Sequence, residues 1–215
     1  MSNKIKAVIF DMDGLMIDTE PLHLLAFNEV FKKYEKFLSA EENTKRYVGV
    51  SDKDAITDMV IRFHLPLSSN ELASAKQTEY KKLIQEQLVP LPGLIGLLKN
   101  LQDNGYKTAI ASGSTKEEIE MVIKRLGIAP YIEIYISADQ VQKGKPAPDI
   151  FLKAAEKLGV KPNECLVLED APKGVQAAKS AGMICFAIPS LQTQGQDFSL
   201  ADKVLNNLSQ VFQII

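Results

Sequence analysis

The 215 residues are 46% hydrophobic and 24% charged, with a formal net charge of −2. That composition belongs to an ordinary globular chain, long enough for one large domain or a core with a smaller companion. A slightly acidic balance with no basic face argues against nucleic-acid binding, and no run nears the ~18 apolar residues of a membrane helix. No apolar secretory stretch precedes Asp11, so a cytoplasmic protein is the expectation. Cys165 and Cys185 both lie in apolar runs and read as small buried hydrophobes rather than a disulfide.

In chain order, Ala7-Val8-Ile9-Phe10 reads as a short buried parallel strand running into Asp11-Met12-Asp13-Gly14. In extended backbone Asp11 and Asp13 leave on one side, and Gly14 permits a sharp turn. From Asp18 the pattern turns helical. Asp18 or Thr19 caps a segment whose first turn holds Pro21, and Leu22, Leu25, Ala26, Val30 and Phe31 approximate helical spacing as far as Tyr34. A turn-like break at 45–51 precedes a second helix over 52–64, and a third helix follows Ser68-Ser69 to about Leu88. No strand is evident between 18 and 85, which marks a helical block inserted after the first strand.

Beyond the block, strands and helices alternate. A helix opened by Pro92-Gly93 closes at Asn104-Gly105, and a strand covers Thr108-Ala109-Ile110-Ala111-Ser112. Ser114 with Glu117 suggests a capping box for a helix ending at Gly127. A third strand over 132–137, a helix from Pro148 closed by Gly159, a fourth strand over 165–170, a helix over 172–181 and a fifth strand over 183–188 follow. A polar loop at 192–196 and a short helix from Leu208 end the chain. Strands joined by helices of this length predict right-handed βαβ units and an α/β fold: a Rossmann-like parallel sheet core, 1–17 with 86–215, carrying an inserted α-helical domain over 18–85.

The strand ends carry the chemistry. The first ends in Asp11-x-Asp13, the second in Ser112-Gly113 and the fourth in Glu169-Asp170, while Lys145 follows the third in Gly144-Lys145-Pro146. All fall on the carboxyl edge of the predicted sheet, where open α/β folds bind ligands. The carboxylates offer hard oxygen ligands for Mg²⁺, Ser112 and Gly113 precede a helix N-terminus suited to an anion, and Lys145 supplies a compact positive charge. Each carboxylate pair at 4 Å costs about 4 kcal/mol at an effective dielectric of ~20. The cluster therefore stays ionised only with a cation among it, or one member holds a proton.

Asp11-Met12-Asp13-Gly14, Ser112, Lys143-Gly144-Lys145-Pro146 and Leu168-Glu169-Asp170, in that order on a βαβ frame, resemble the haloacid dehalogenase superfamily of phosphotransferases. The helical block resembles that family's mobile cap. The flanking residues look most like its group of pseudouridine-5′-phosphatases, sugar phosphatases and β-phosphoglucomutases. The resemblance implies a Mg²⁺-dependent phosphatase acting on a small phosphorylated metabolite. Asp11 would be the nucleophile that becomes an aspartyl-phosphate, and Asp13 the acid and base. Ser112, Gly113 and Lys145 would hold phosphate. Asp11, the Asp13 backbone carbonyl, Glu169 and Asp170 would be the metal's surroundings, and His23 a substrate-side residue of the cap. No membrane or nucleic-acid partner is expected, and a monomer is the default.

Two alternatives stay open. One is a β-phosphoglucomutase; that pattern carries a cap arginine gripping the second phosphate, where this chain has Asp52 after Val50-Ser51. The other is a catalytically silent relative that binds without turnover.

Overall fold

The computed structural model describes residues 5–47 and 50–215. By its internal contacts the chain divides into two compact units, 1–18 with 89–215 and 19–88.

The first unit is built on a parallel sheet. Its strands are β1 (Ala7–Phe10), β2 (Lys107–Ala111), β3 (Ile134–Ile136), β4 (Cys165–Glu169), β5 (Ile184–Ala187) and β6 (Lys203–Val204), in the spatial order β3-β2-β1-β4-β5-β6. β1 and β4 are buried along their whole length, which is why their sequences run apolar without alternation. The order reverses between β1 and β4, and that switch point is where a doubly wound sheet opens a crevice. Register brings the strand ends together there. Phe10 is level with Ile110 on one side and Leu168 on the other, so Asp11 and Glu169 leave the sheet at one height. The Asp11 N–H still bonds the Leu168 carbonyl at 3.0 Å, so this aspartate is anchored by the ladder itself.

Helices α5 (Leu94–Asp103), α6 (Lys116–Leu126), α7 (Asp149–Leu158) and α8 (Pro172–Ser180) cover the sheet; α6 and α7 end at Gly127 and Gly159 in left-handed conformation. One sheet face buries Ile9, Val167, Phe151 and Val175 together. Cys165 and Cys185 are free and buried; burial pushes the Cys165 thiol up to about 11 and Cys185 higher still. The segments entering and leaving the helical block run side by side within this unit: Ile17 bridges to Pro90, and the Leu91 N–H bonds the Met16 carbonyl at 2.8 Å.

The second unit is wholly helical among its described residues: α1 (Glu20–Lys32), α2 (Ala40–Arg46), α3 (Asp52–Arg62) and α4 (Ser69–Gln87). Val30, Phe31, Leu38, Met59 and Leu72 form its core. α4 opens with a complete Ser68/Glu71 capping box. Leu22, Ala26, Val30 and Phe31 are buried on α1 as their spacing suggests, whereas Leu25 is exposed. On α4 the buried face includes Lys76, its ammonium 5.0 Å from the Tyr80 ring centre and 5.5 Å from that of Phe27. His23 stacks on Tyr80 with ring centres 4.1 Å apart.

Several boundaries differ from expectation. α2 was not foreseen, and Lys45 and Arg46, taken as part of a turn, are its last residues. Of that turn, Val48 and Gly49 lie outside the described residues. Of the two caps the sequence offers for α1, Thr19 holds the N-cap position, but without the expected side-chain cap bond. The α6 capping box is Thr115 with Glu118, one residue later than Ser114 with Glu117, because the Ser114 hydroxyl is bound elsewhere. β6 was also missed, and the last helical piece is a 3-10 segment over Leu208–Gln213.

Candidate active site

Four side chains meet where β1, β4 and the loop after β3 end. Lys145 donates to Asp11 Oδ1 at 2.5 Å and to Glu169 Oε1 at 2.7 Å. Asp11, Glu169 and Asp170 are buried, and each offers a carboxylate oxygen within 4.8 Å of the others'. Glu169 is fixed twice, by Lys145 and by the Ala171 N–H at 2.8 Å. Its carboxylate packs on the α-carbon of Gly174 in α8, where a β-carbon would overlap it. The Asp170 carboxylate packs likewise on Gly14, whose φ of +83° further reserves that position for glycine.

The electrostatics follow from three acids and one base out of water. Burial pushes the Asp11 carboxyl well above the usual range, Lys145 draws it back and Glu169 raises it further. Burial, then the Glu169 charge, lifts Asp170 to about 6. Burial works against the Lys145 ammonium, but Asp11 and Glu169 outweigh it and raise the lysine above its ordinary value. The Lys145 ammonium also lies 5.1 Å from the Phe151 ring centre. One ammonium does not neutralise three carboxylates. A buried all-oxygen donor set with surplus negative charge is what a hard divalent cation fits.

Asp13 is held differently. Its Oδ2 accepts from Ser114 Oγ at 2.7 Å and from Ser112 Oγ at 3.3 Å, and Ser112 Oγ accepts from the Ser114 N–H at 3.0 Å. Ser112 is fully buried at the end of β2, where its N–H extends the ladder to Ile136. Gly113 stands exposed beside it. Asp11, Asp13, Ser112, Lys145, Glu169 and Asp170 thus come to one sheet edge. His23 lies on α1 in the helical unit, against Tyr80. The Ser114 side chain, a donor to Asp13, was missed; the Ser-x-Ser spacing at 112–114, in which the first hydroxyl accepts from the second serine's N–H and so turns the chain just past the strand end, was its signal.

Fold and site together define a class: α/β proteins that handle an anionic substrate with paired acids and a lysine at the switch point of a parallel sheet. The haloacid dehalogenase-like hydrolase family matches residues 8–188, and the chain belongs to it. It is 34% identical over 83% of its length to the phosphorylated carbohydrates phosphatase of Thermotoga maritima, covering 82% of that protein. It is also 34% identical, over 96% of the chain and 91% of the relative, to a probable pseudouridine-5′-phosphatase of Drosophila melanogaster. It spans 56% of the bifunctional riboflavin kinase/FMN phosphatase of Arabidopsis thaliana, at 35% identity. The solved structure of a putative β-phosphoglucomutase from Thermotoga maritima superposes with a TM-score of 0.90 over 98% of both chains, at 29% identity. Family and relatives make this chain a phosphoric monoester hydrolase. Among the described residues no helix is long and apolar enough to cross a membrane.

Proposed function

We propose that the chain is a Mg²⁺-dependent phosphatase that hydrolyses a small phosphate monoester through an aspartyl-phosphate on Asp11. The observation that carries this reading is the unequal treatment of two aspartates two residues apart. The Asp11 carboxylate is buried and paired with Lys145, while the Asp13 carboxylate is cradled by serine hydroxyls. Asp11 Oδ attacks phosphorus, and the bond from phosphorus to the leaving oxygen breaks as Asp13 gives that oxygen a proton. Asp13 then takes a proton from the water that attacks the phosphorus and releases phosphate, returning Asp11 as a carboxylate. An ammonium has three N–H donors and the two carboxylate bonds use two, which leaves one for a phosphoryl oxygen. The Gly113 N–H supplies a further donor at the same edge, and the Ser112 hydroxyl would turn from its long 3.3 Å bond to Asp13 toward the phosphoryl group.

Asp11, Asp170 and the Asp13 backbone carbonyl would hold the cation, with Glu169 nearby and anchoring Lys145. Bound there, Mg²⁺ supplies positive charge against the carboxylates and the phosphoryl oxygens. The helical unit would serve as the cap that selects the substrate, with His23 among its substrate-side residues. The natural substrate is then a small soluble metabolite, a sugar phosphate or a nucleotide-like ester. The test is phosphate release by the full chain across sugar phosphates, nucleotides and pseudouridine 5′-phosphate. Release with Mg²⁺ and its loss on chelation are expected; no release from any ester with Mg²⁺ would overturn the proposal.

A second reading, β-phosphoglucomutase, is favoured by the likeness to a structure named so. Against it, Asp52 stands where that pattern carries a phosphate-gripping arginine, and an acid there repels a second phosphate. Conversion of β-glucose 1-phosphate to glucose 6-phosphate faster than phosphate loss would select the mutase.

A further inference from the structure

Asp170 lies one residue beyond β4, where the sheet no longer holds the backbone. The last rung of the β4–β5 ladder is the Ile188 N–H bond to the Glu169 carbonyl, 2.7 Å. The next carbonyl, that of Asp170, accepts from the Thr193 hydroxyl at 2.6 Å. Thr193 Oγ1 itself accepts from the Ser190 N–H at 2.9 Å and lies 3.1 Å from Ser190 Oγ. A hydroxyl has one proton to give. The short bond assigns Thr193's to the Asp170 carbonyl, which leaves the Ser190 hydroxyl beside Thr193 Oγ1 as that residue's second partner in the turn. The turn that presents both hydroxyls is closed by the Thr193 and Gln194 N–H groups on the Ser190 carbonyl, at 3.2 and 3.0 Å. One tight turn after β5 thus grips Asp170 by its main chain, at the carbonyl of the residue whose carboxylate faces the acid cluster. Across from it, Gly14 leaves no room for the carboxylate to move further.

We propose that Thr193 and Ser190 are positioning residues that fix the Asp170 carboxylate for the divalent cation. This rests on the reading of Asp170 as a cation ligand. An aspartate just past a strand end keeps rotational freedom that binding must freeze, and outer-shell partners that hold a metal ligand in place are commonly worth about 10- to 100-fold in metal affinity.

The experiment is calorimetric titration of the metal-free full chain with Mg²⁺, for the wild type, Thr193→Val, Thr193→Ser and Ser190→Ala, with kcat and KM on any hydrolysed ester beside it. Thr193→Val keeps the shape and removes the hydroxyl. Mg²⁺ affinity is expected to fall about 10- to 100-fold, with kcat at subsaturating Mg²⁺ falling and KM for the ester little changed. Thr193→Ser should restore affinity to within about threefold. Ser190→Ala, which leaves the Thr193 hydroxyl in place, should weaken Mg²⁺ binding by about 3- to 10-fold, and it carries the test if Thr193→Val does not fold. Wild-type affinity in folded Thr193→Val or in Ser190→Ala overturns the inference, as does a Thr193→Ser no better than Thr193→Val. A wild-type chain that binds no Mg²⁺ instead overturns the cation reading beneath it.

Discussion

Lys145 sets the state of the whole site. Its ammonium is the positive partner of two buried carboxylates, so its removal leaves Asp11 and Glu169 facing each other without compensation. Breaking a buried pair from one side typically costs about 3–5 kcal/mol, far above the loss of an exposed ion pair. Lys145→Ala is therefore expected to lower the urea unfolding free energy of the metal-free protein by about that amount, and Mg²⁺ should restore part of it. An unfolding midpoint equal to the wild type's would mean that the pair is solvated and contributes little. The same residue shows what sequence reading can reach. A lysine between glycine and proline stands out only in company, and the company was legible because each partner ends a strand. Its pair of hydrogen bonds, one to Asp11 and one to Glu169, was not, since nothing in spacing says which acids a long flexible side chain will choose.

At the scale of elements, the glycines in α8 and after β1 exist for the acids they face. Gly174 sits inside a helix, where alanine would ordinarily gain about 1 kcal/mol. Here its β-carbon would overlap the Glu169 carboxylate, which is already fixed by Lys145 and Ala171. Gly174→Ala is expected to reverse the usual sign, lowering the thermal midpoint and weakening phosphate release at once. A midpoint raised, with activity intact, would show that Glu169 can retreat without consequence. The elements themselves were readable where apolar pattern was strong, as in β1, β4 and α7. They were unreadable where burial is absent: α2 buries none of its residues, and β6 is two exposed residues paired on the sheet edge. The α6 cap slipped by one residue for a tertiary reason, because Ser114 is committed to Asp13 across 101 positions of sequence. Lys76 defeated the helical pattern in the opposite way, since a charged residue on a buried stripe carries no apolar signal.

For the whole molecule, the surplus of buried negative charge couples stability to pH and to cation. Asp170 rises to about 6 and Asp11 rises with it, burial being the main cause in both. A carboxyl whose folded pKa is raised favours folding while it is protonated, and that contribution is lost as pH climbs through the folded value. For these groups the metal-free protein is thus favoured below about pH 4 and penalised by pH 7. A cation held by the same carboxylates competes with their protons and lifts the penalty. The rise in thermal midpoint on adding saturating Mg²⁺ should therefore be larger at pH 7.5 than at pH 5, by several degrees for a chain of this size. Equal shifts at both pH values would separate the cation from these acids.

The central claim is that Asp11 carries the phosphoryl group, and it is tested most directly by acid-quenching the enzyme during turnover of a hydrolysed ester and locating the phosphoryl group by peptide mass spectrometry. The expected result is a phosphorylated peptide whose modified residue is Asp11, absent in Asp11→Asn, together with a loss of phosphate release of at least about a thousandfold in that variant. Phosphorylation at another residue, or near-normal phosphate release by folded Asp11→Asn, would contradict it.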